Sequence, residues 1–415
     1  MRRYLIRVSS VALAAALVLS ACSESTKDDG KGSGNGDREP ATRTTRGVTD
    51  TSVKVGGLVY DLYFGDARVG VQARIEQAND AGGVHGRRIE VVEAENDNND
   101  AAKGLEITKR LVESEKVFAL LPVNSGVFGG GDYAAQNDVP VFGWGVNPGF
   151  CDKPNAFGIT GCVTNPSLKV ASNALGTALE KQLGTSDKTI AFIGEDNDAG
   201  RGGIKLLTSS VEDKGFEVVM ADASLPAPPD VPGDVSPFVT QLLKSDGGQA
   251  PDIIYLIATL SGTKISAALQ AAGFKGMIVT PSYSPLLLGV PGYDGTWINT
   301  QLGMDPKVPA NAEMLKAVAA VKPDQKLNLA VAAGYWAADM FVKALEKTGR
   351  DLTVERFLAT LNGGGFTYEV PGVVGRSEWP GNHEHPVPCS AMTEVRGKEF
   401  IPTVPLACGR NIPVE

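Results

Sequence analysis

Few side chains in this chain combine a reactive type with a spacing that chemistry would require. The three histidines are His85, His383 and His385. His383-x-His385 has the donors of a metal site, but Gly381 and Pro386 flank it, and it reads as a solvated loop pair. His85 falls in a turn. Glu93, Glu95, Asp97 and Asp100 could pair for acid–base work, yet they stand where a strand pattern ends and a helix pattern begins. They read as strand exit and helix cap. Gly129-Gly130-Gly131 precedes a helix and could approach an anion, though a glycine-rich turn accounts for it. There is no G-x-x-x-x-G-K-[ST] loop, no G-x-G-x-x-G after a strand, and no G-x-S-x-G elbow. No catalytic constellation assembles, so the expectation is a non-enzyme without cofactor or metal.

The reactive atom with the clearest context is the thiol of Cys22. Arg2, Arg3 and Arg7 precede a short apolar run over residues 8–19, the layout of a secretion signal over 1–21. Leu19-Ser20-Ala21-Cys22 resembles a bacterial lipobox, in which the Cys receives diacylglycerol and the bond before it is cut. Arg2-Arg3 also resembles a twin-arginine export motif, so the route could be either general or twin-arginine secretion. Residues 22–50 are rich in Gly, Ser, Thr, Asp and Lys and bury too little to offset ordering entropy, which predicts a flexible tether. The other four cysteines form two close pairs, Cys151 with Cys162 and Cys389 with Cys408. Export favours their oxidation, each bridge contributing about 3 kcal/mol in the chain-entropy model. Zinc is the rival, but neither pair has the short C-x-x-C spacing.

The elements that must position any site follow from the apolar rhythm. With 415 residues the chain exceeds one small core, and two domains are expected. A net charge of −9 without a basic stripe argues against nucleic-acid binding. After the leader no apolar run reaches the roughly 18 residues of a membrane span. Strand patterns at 53–60, 88–94, 117–123 and 139–142 alternate with helices, the first carrying Ala67, Val71, Ile75 and Ala78 and stopping at Gly82-Gly83. The second helix starts at Asp100. The cycle restarts after 155–162 with a long helix opening at Pro166 and carrying Ala171, Leu175, Ala178 and Leu179. Strands at 188–194, 216–221, 252–258 and 276–280 follow, with helices at 201–214, 239–243 and 261–272 between them. Parallel pairing with helices on both faces results, in two Rossmann-like lobes. Helices at 310–321, 329–347 and 354–361 should return to the first lobe, and the Cys389–Cys408 tail should end on the second. The expected division is 51–160 with about 285–365, and 161–284 with about 366–415.

Asn79-Asp80-Ala81-Gly82-Gly83-Val84-His85-Gly86-Arg87-Arg88-Ile89-Glu90 resembles the "Na-GG-nGr-ie" segment of the type I periplasmic binding proteins, branched-chain amino acid group. It stands at the family's place, between first helix and second strand. The segment from Ala101-Ala102 to Leu111-Val112 and the dipeptide Pro251-Asp252 echo it, and the double-lobe rhythm covers about residues 52–405. The resemblance implies an α/β fold of two lobes with parallel sheets joined by three crossovers. It also implies the substrate-binding lipoprotein of an ABC importer, with a membrane permease as partner. The lipid would hold this body, a monomer with one cleft, at the outer face of the cytoplasmic membrane. A sensory module reporting a ligand to a membrane receptor is the alternative.

In open α/β sheets ligands sit beyond the carboxyl ends of the strands. Here that selects residues 61–65, 124–126, 144–147, 196–200, 259–262 and 282–284. By resemblance, Phe64 matches the family's aromatic cleft position, and Ser125 the hydroxyl that contacts a ligand carboxylate. Gly145, Val146 and Asn147 match the loop that contacts the same group. Asn124 and Ser261 lie in the selected segments. Two positions depart from the family. Its second-lobe Tyr before a Gly is Ala199, and its acid after a Pro, which grips an α-ammonium, is Ser282. Asp196 or Asp198 would have to substitute for that acid, since an unpaired ammonium is costly in a dry cleft. Tyr63, Phe64, Phe128, Trp144 and Tyr283 point instead to an apolar or aromatic ligand, unless some belong to the core or hinge.

Overall fold

Val53, Val55, Leu58 and Val59 are buried on both faces of strand β1 (Ser52–Val59), as a parallel strand covered by helices must be. The computed structural model describes residues 45–164, 169–227, 230–258 and 261–414, with residues 198 and 199 described by backbone alone. The leader, Cys22, most of the tether and Pro166 lie outside the described residues. Strands β2 (Arg88–Asn96), β3 (Ala119–Asn124), β4 (Val141–Gly143) and β5 (Ala156–Gly158) join β1 in one parallel sheet, ordered β2-β1-β3-β4-β5. A short strand, β6 (Val170–Ser172), then pairs antiparallel with the chain's last strand, Asn411–Pro413.

The second sheet repeats the order of the first. Strands β7 (Thr189–Glu195), β8 (Glu217–Leu225), β9 (Ile253–Ile257), β10 (Met277–Thr280) and β11 (Trp297–Thr300) run parallel as β8-β7-β9-β10-β11. A hairpin, β12 (Phe366–Val370) with β13 (Val374–Trp379), packs on the first-lobe core. Strands β14 (Cys389–Arg396) and β15 (Glu399–Cys408) extend the second sheet antiparallel beyond β11. Both cysteine pairs are disulfides, Cys151–Cys162 with S–S 1.99 Å and Cys389–Cys408 with S–S 2.01 Å. Among the described residues no helix is long and apolar enough to cross a membrane.

The helix Leu329–Thr348 is apolar nearly all round and forms the centre of the first lobe. It crosses the helix Ala67–Asp80 at reciprocal glycines. A Cβ on Gly70 would stand 2.2 Å from the Val331 carbonyl oxygen, and one on Gly334 2.1 Å from that of Ala67. The backbones touch only because neither residue has a side chain. Asp339, buried on the same helix, is held by Arg74 at 2.7 Å, Lys343 at 2.9 Å and the Tyr368 hydroxyl at 3.0 Å.

Three crossovers join the lobes: from β5 to β6, from β11 to the helix Pro309–Val321, and from β13 to β14. The first and third run side by side. Cys162 N–H donates to the His385 carbonyl at 3.1 Å, and Val387 N–H to that of Thr160 at 2.8 Å. In the second, Gly303 N–H donates to the Val373 carbonyl at 2.8 Å.

Several expectations need correction. Ala171 is not helical; it pairs in a strand with Ile412, and the helix begins at Ala174. Its partner is 241 residues away, so no local pattern could reveal it. Strand β11 belongs to the second sheet although it falls within 285–365, and the hairpin β12–β13 serves the first lobe although it falls after 366. His383 is not a solvated partner of His385. It is buried against Phe157 and Trp379, with ring nitrogens 3.0 Å from the Ala156 carbonyl oxygen and 2.7 Å from Asn362 Oδ1. Phe128 packs in the core near Phe150.

Two outcomes follow. Gly334→Ala forces the two helices apart and should cost about 1–3 kcal/mol or more, read from chemical denaturation; an unchanged midpoint would contradict the close crossing. Burial lowers the His383 pKa from 6.5 to about 4, so the unfolded chain protonates first. The stability this residue contributes is full above about pH 6.5 and falls as pH drops toward 4, by up to about 3 kcal/mol. His383→Gln should flatten the melting temperature over that window, and an equally steep fall in the variant would assign it to other groups.

Candidate functional site

The strand order β2-β1-β3 reverses direction between β1 and β3, and β8-β7-β9 does so between β7 and β9. Such switch points open a crevice at the carboxyl ends of the strands. The first is flanked by Tyr60 to Phe64 and by Asn124 and Ser125, the second by Glu195 to Asn197 and by Ala258 and Ser261. Burial raises the Tyr60 phenol pKa, and the charges of Asp97 and of Glu195 push it further up.

On the first-lobe side the aromatic rings form a chain. Tyr60 and Tyr63 lie 5.3 Å apart between centroids, Tyr63 and Phe64 6.3 Å, and Phe64 and Trp144 5.5 Å, all edge-to-face. The loops behind them are cross-linked. Asn124 Oδ1 accepts from Trp144 N–H at 3.0 Å, and Asn147 Nδ2 donates to the Ser125 carbonyl at 2.8 Å. Asn147 Oδ1 in turn accepts from Gly149 N–H at 3.0 Å. Ser125 Oγ lies 3.4 Å from Asn99 Oδ1 and from Val127 N–H. Tyr63, Phe64, Asn124, Ser125, Trp144, Gly145, Val146 and Asn147 thus come together.

Within this wall two side-chain nitrogens, Asn124 Nδ2 and Trp144 Nε1, are buried without a hydrogen-bond partner among the described residues. Unpaired buried donors are expensive, which makes these atoms candidates to meet a ligand. The two nitrogens can only donate, so they suit a hydroxyl, carbonyl or carboxylate oxygen. Burial raises the Asp97 pKa, partly countered by hydrogen bonds from Ser125 and the Asn99 backbone.

The loop is also tied to the first crossover. Thr160 Oγ1 donates to the Trp144 carbonyl at 2.6 Å, Val163 N–H to that of Gly145 at 3.3 Å, and Thr164 Oγ1 to that of Val146. Gly145 has φ +104°, and a Cβ there would meet the Gly161 carbonyl oxygen at 2.3 Å, so only glycine fits.

The second-lobe residues are less concentrated. Asp196 is exposed and paired with Arg201, so its charge is already engaged. Asp198 opens the helix Asp198–Glu212, and its side chain, like that of Ala199, lies outside the described residues. Ser261 is buried at the start of the helix Gly262–Ala271. Ser282 N–H donates to Thr280 Oγ1 at 3.3 Å, and its carbonyl accepts from the Tyr293 hydroxyl. Tyr283 stacks on Phe400 with centroids 4.1 Å apart and is buried, which makes it a packing residue with little surface to offer. Tyr60, Asp97 and Glu195 were missed. Each lies at or next to the carboxyl end of a strand, which is the signal that could have found them; the sequence pattern reads Asp97 only as part of a strand exit. Among the described residues no group of three or more His, Cys, Asp or Glu could hold a metal ion.

Known proteins agree with this architecture. The periplasmic binding protein family model matches residues 55–399. A fatty acid ABC transporter substrate-binding protein from Thermomonospora curvata superposes with TM-score 0.68 at 19% identity, covering 89% of this chain and 95% of its own. A solute-binding protein of an R. palustris ABC transporter, in complex with 4-hydroxybenzoate, gives TM-score 0.67 at 16% identity, covering 86% and 97%. A possible leucine/isoleucine/valine-binding protein from Rhodopirellula baltica SH 1 gives 0.69 at 14%, covering 89% and 98%. No curated protein sequence matches the chain. At these identities the structures share a fold and no more. Two parallel lobes, three crossovers and a match over most of its length make this chain a member of the type I periplasmic binding proteins, the extracytoplasmic, non-enzymatic family that includes the leucine/isoleucine/valine-binding proteins.

Proposed function

We propose that this protein is the lipid-anchored solute-binding component of an ABC importer and that its ligand is a small organic acid with an aromatic or acyl body. The observation that carries the ligand class is the aromatic chain ending at Trp144, with the unpaired donors Trp144 Nε1 and Asn124 Nδ2 set into it. Rings supply apolar contact area, and the two donors take the acid's oxygens. The absence of an acid at Ser282 and the engagement of Asp196 by Arg201 leave an α-ammonium poorly served from the second lobe. Relatives that bind a fatty acid, benzoate and 4-hydroxybenzoate support the same class.

The ligand first docks on the first-lobe wall, through Tyr63, Phe64, Asn124, Ser125 and residues 144–147. The second lobe then closes over it with the backbone and side chains around Asp196, Asp198, Ser261 and Ser282. Closure is favoured only to the extent that the ligand binds the closed form better than the open one. The closed pair of lobes presents the surface a permease receives. Residues 1–21 act as the leader and 22–50 as the tether, with Cys22 acylated, which holds the body at the outer face of the cytoplasmic membrane.

Two experiments test this. In a thermal-shift panel, benzoate, 4-hydroxybenzoate or a medium-chain fatty acid should raise the melting temperature by several degrees. That follows from the about 2.7 kcal/mol gained at a hundredfold excess over Kd. Isoleucine should do little, and Trp144→Ala should weaken the best ligand about ten- to hundredfold. A clear isoleucine shift, or unchanged affinity in the variant, would reject the ligand class. Separately, Cys22→Ser should abolish palmitate labelling and move the protein from the membrane to the soluble fraction. Membrane retention of that variant would reject the anchor.

A further inference from the structure

The last residues of a domain stay loose unless something ties them down. Here residues 409–414 are tied on three sides, and two of the ties reach the connections between the lobes. The first goes to the exit of the first crossover. Strand Asn411–Pro413 pairs antiparallel with β6, Asn411 opposite Ser172, Ile412 opposite Ala171 and Pro413 opposite Val170. Val414 N–H donates to the Lys169 carbonyl at 2.8 Å, and the Ile412 side chain is buried. These two strands form a sheet of their own, so β6 has no other strand partner among the described residues.

The second tie goes to the third crossover. Pro386 and Pro388 have no N–H, so their backbone can only accept. Residues 409–411 supply donors to both. Gly409 N–H donates to the Pro388 carbonyl at 2.7 Å, and Asn411 Nδ2 to the Pro386 carbonyl at 3.2 Å. The same stretch also meets the first crossover, through Val387 N–H to the Thr160 carbonyl at 2.8 Å and a bridge between Pro386 and Gly161. The third tie runs to the body of the second lobe. Arg410 N–H donates to Asn173 Oδ1 at 2.7 Å, and the Arg410 carbonyl accepts from Asn173 N–H at 3.0 Å. The Arg410 guanidinium pairs with Asp213, at the end of the helix Asp198–Glu212, and Asp213 also accepts from Asn173 Nδ2 at 2.8 Å.

Hinge motion between lobes is absorbed by φ/ψ changes in a few connecting residues. Each bond that fixes a connecting strand to its neighbour, or to one lobe, removes part of that freedom. Residues 409–414 fix two of the three connections at once, and they fix both to the same lobe. Without them β6 would lose its strand partner, and the Pro386 and Pro388 carbonyls would lose these donors. We propose that residues 409–414 are a strap across the hinge. They clamp the exit of the first crossover to the third crossover and to the second lobe, and so limit how far the lobes open. The strap acts on the empty protein, so it does not depend on the ligand class proposed above.

The test measures the distance between the lobes by pulsed electron paramagnetic resonance, without ligand. The parent is the full Cys22→Ser chain with spin labels on Glu106→Cys and Lys264→Cys. Both positions are exposed, on a helix of the first lobe and of the second, and the other four native cysteines are held in disulfides. Two variants release the strap: deletion of residues 410–415, and Ile412→Asp, which puts a charge at the buried position while keeping the chain length. In both, the distance distribution should broaden and its mean lengthen by several ångströms. Hydrogen exchange at the Val387 amide should quicken about tenfold or more. An unchanged mean and width in both variants overturns the strap, even if they melt earlier, because the segment then only stabilises the second lobe. If the deletion does not fold, Ile412→Asp decides alone. Failure of both to fold overturns the strap as well, by making the segment a requirement of folding.

Discussion

The backbone of residues 144–146 cannot move independently of the first crossover. Its three successive carbonyls accept hydrogen bonds from Thr160, Val163 and Thr164, and its one glycine abuts the Gly161 carbonyl. Buried carbonyls must keep partners, so the loop that would touch a ligand and the strand that would bend on closure form one mechanical piece. The Cys151–Cys162 disulfide brackets that piece from the other side. On the proposed reading, occupancy of the cleft reaches the first crossover through these bonds, with no relay through a distant core.

The chemistry of the wall follows from the same economy of partners. Asn124 commits its side-chain oxygen to the Trp144 backbone amide and leaves its own amide nitrogen unpaired among the described residues, as is the Trp144 indole nitrogen. A core would not tolerate two such donors without compensation, whereas a binding site needs donors that are dry and already aimed. The second lobe offers a different surface. Its exposed acid is paired, its tyrosine is stacked into the core, and the position expected to carry a carboxylate is a serine. On the proposed reading, specificity is therefore weighted toward the first lobe and toward apolar contact.

Rigidity behind the site comes from the helix Leu329–Thr348. Its reciprocal glycine contact with the helix Ala67–Asp80 brings two backbones into touch beneath β1 and β3. The hairpin β12–β13 closes over it, with the Tyr368 hydroxyl reaching the carboxylate of Asp339. A buried carboxylate held by Arg74, Lys343 and Tyr368 is stable only in that arrangement, because loss of any partner leaves charge in a poorly solvating interior.

Local pattern and chemistry determined a large part of this protein. Apolar runs and helical spacing located β1 to β4 and β7 to β10 and most of the helices between them to within a few residues. A parallel strand buried on both faces and a helix with one buried stripe write their periods directly into the chain, whereas β5, β6 and the strands from β11 onward carried no such pattern. Asp100 was legible as a cap, since a carboxylate before a helix has a local partner, the Lys103 amide. The cysteine pairs were legible because each is close in sequence and in space. What the tertiary structure decided involves partners that lie far apart along the chain. Ala171 becomes a strand only because Ile412 returns to it, and His383 is buried only because Ala156 and Asn362 meet there. Tyr283 is buried only because Phe400, far along the chain, stacks on it. Periodicity reports which face of an element is apolar, but not which distant residue will cover it.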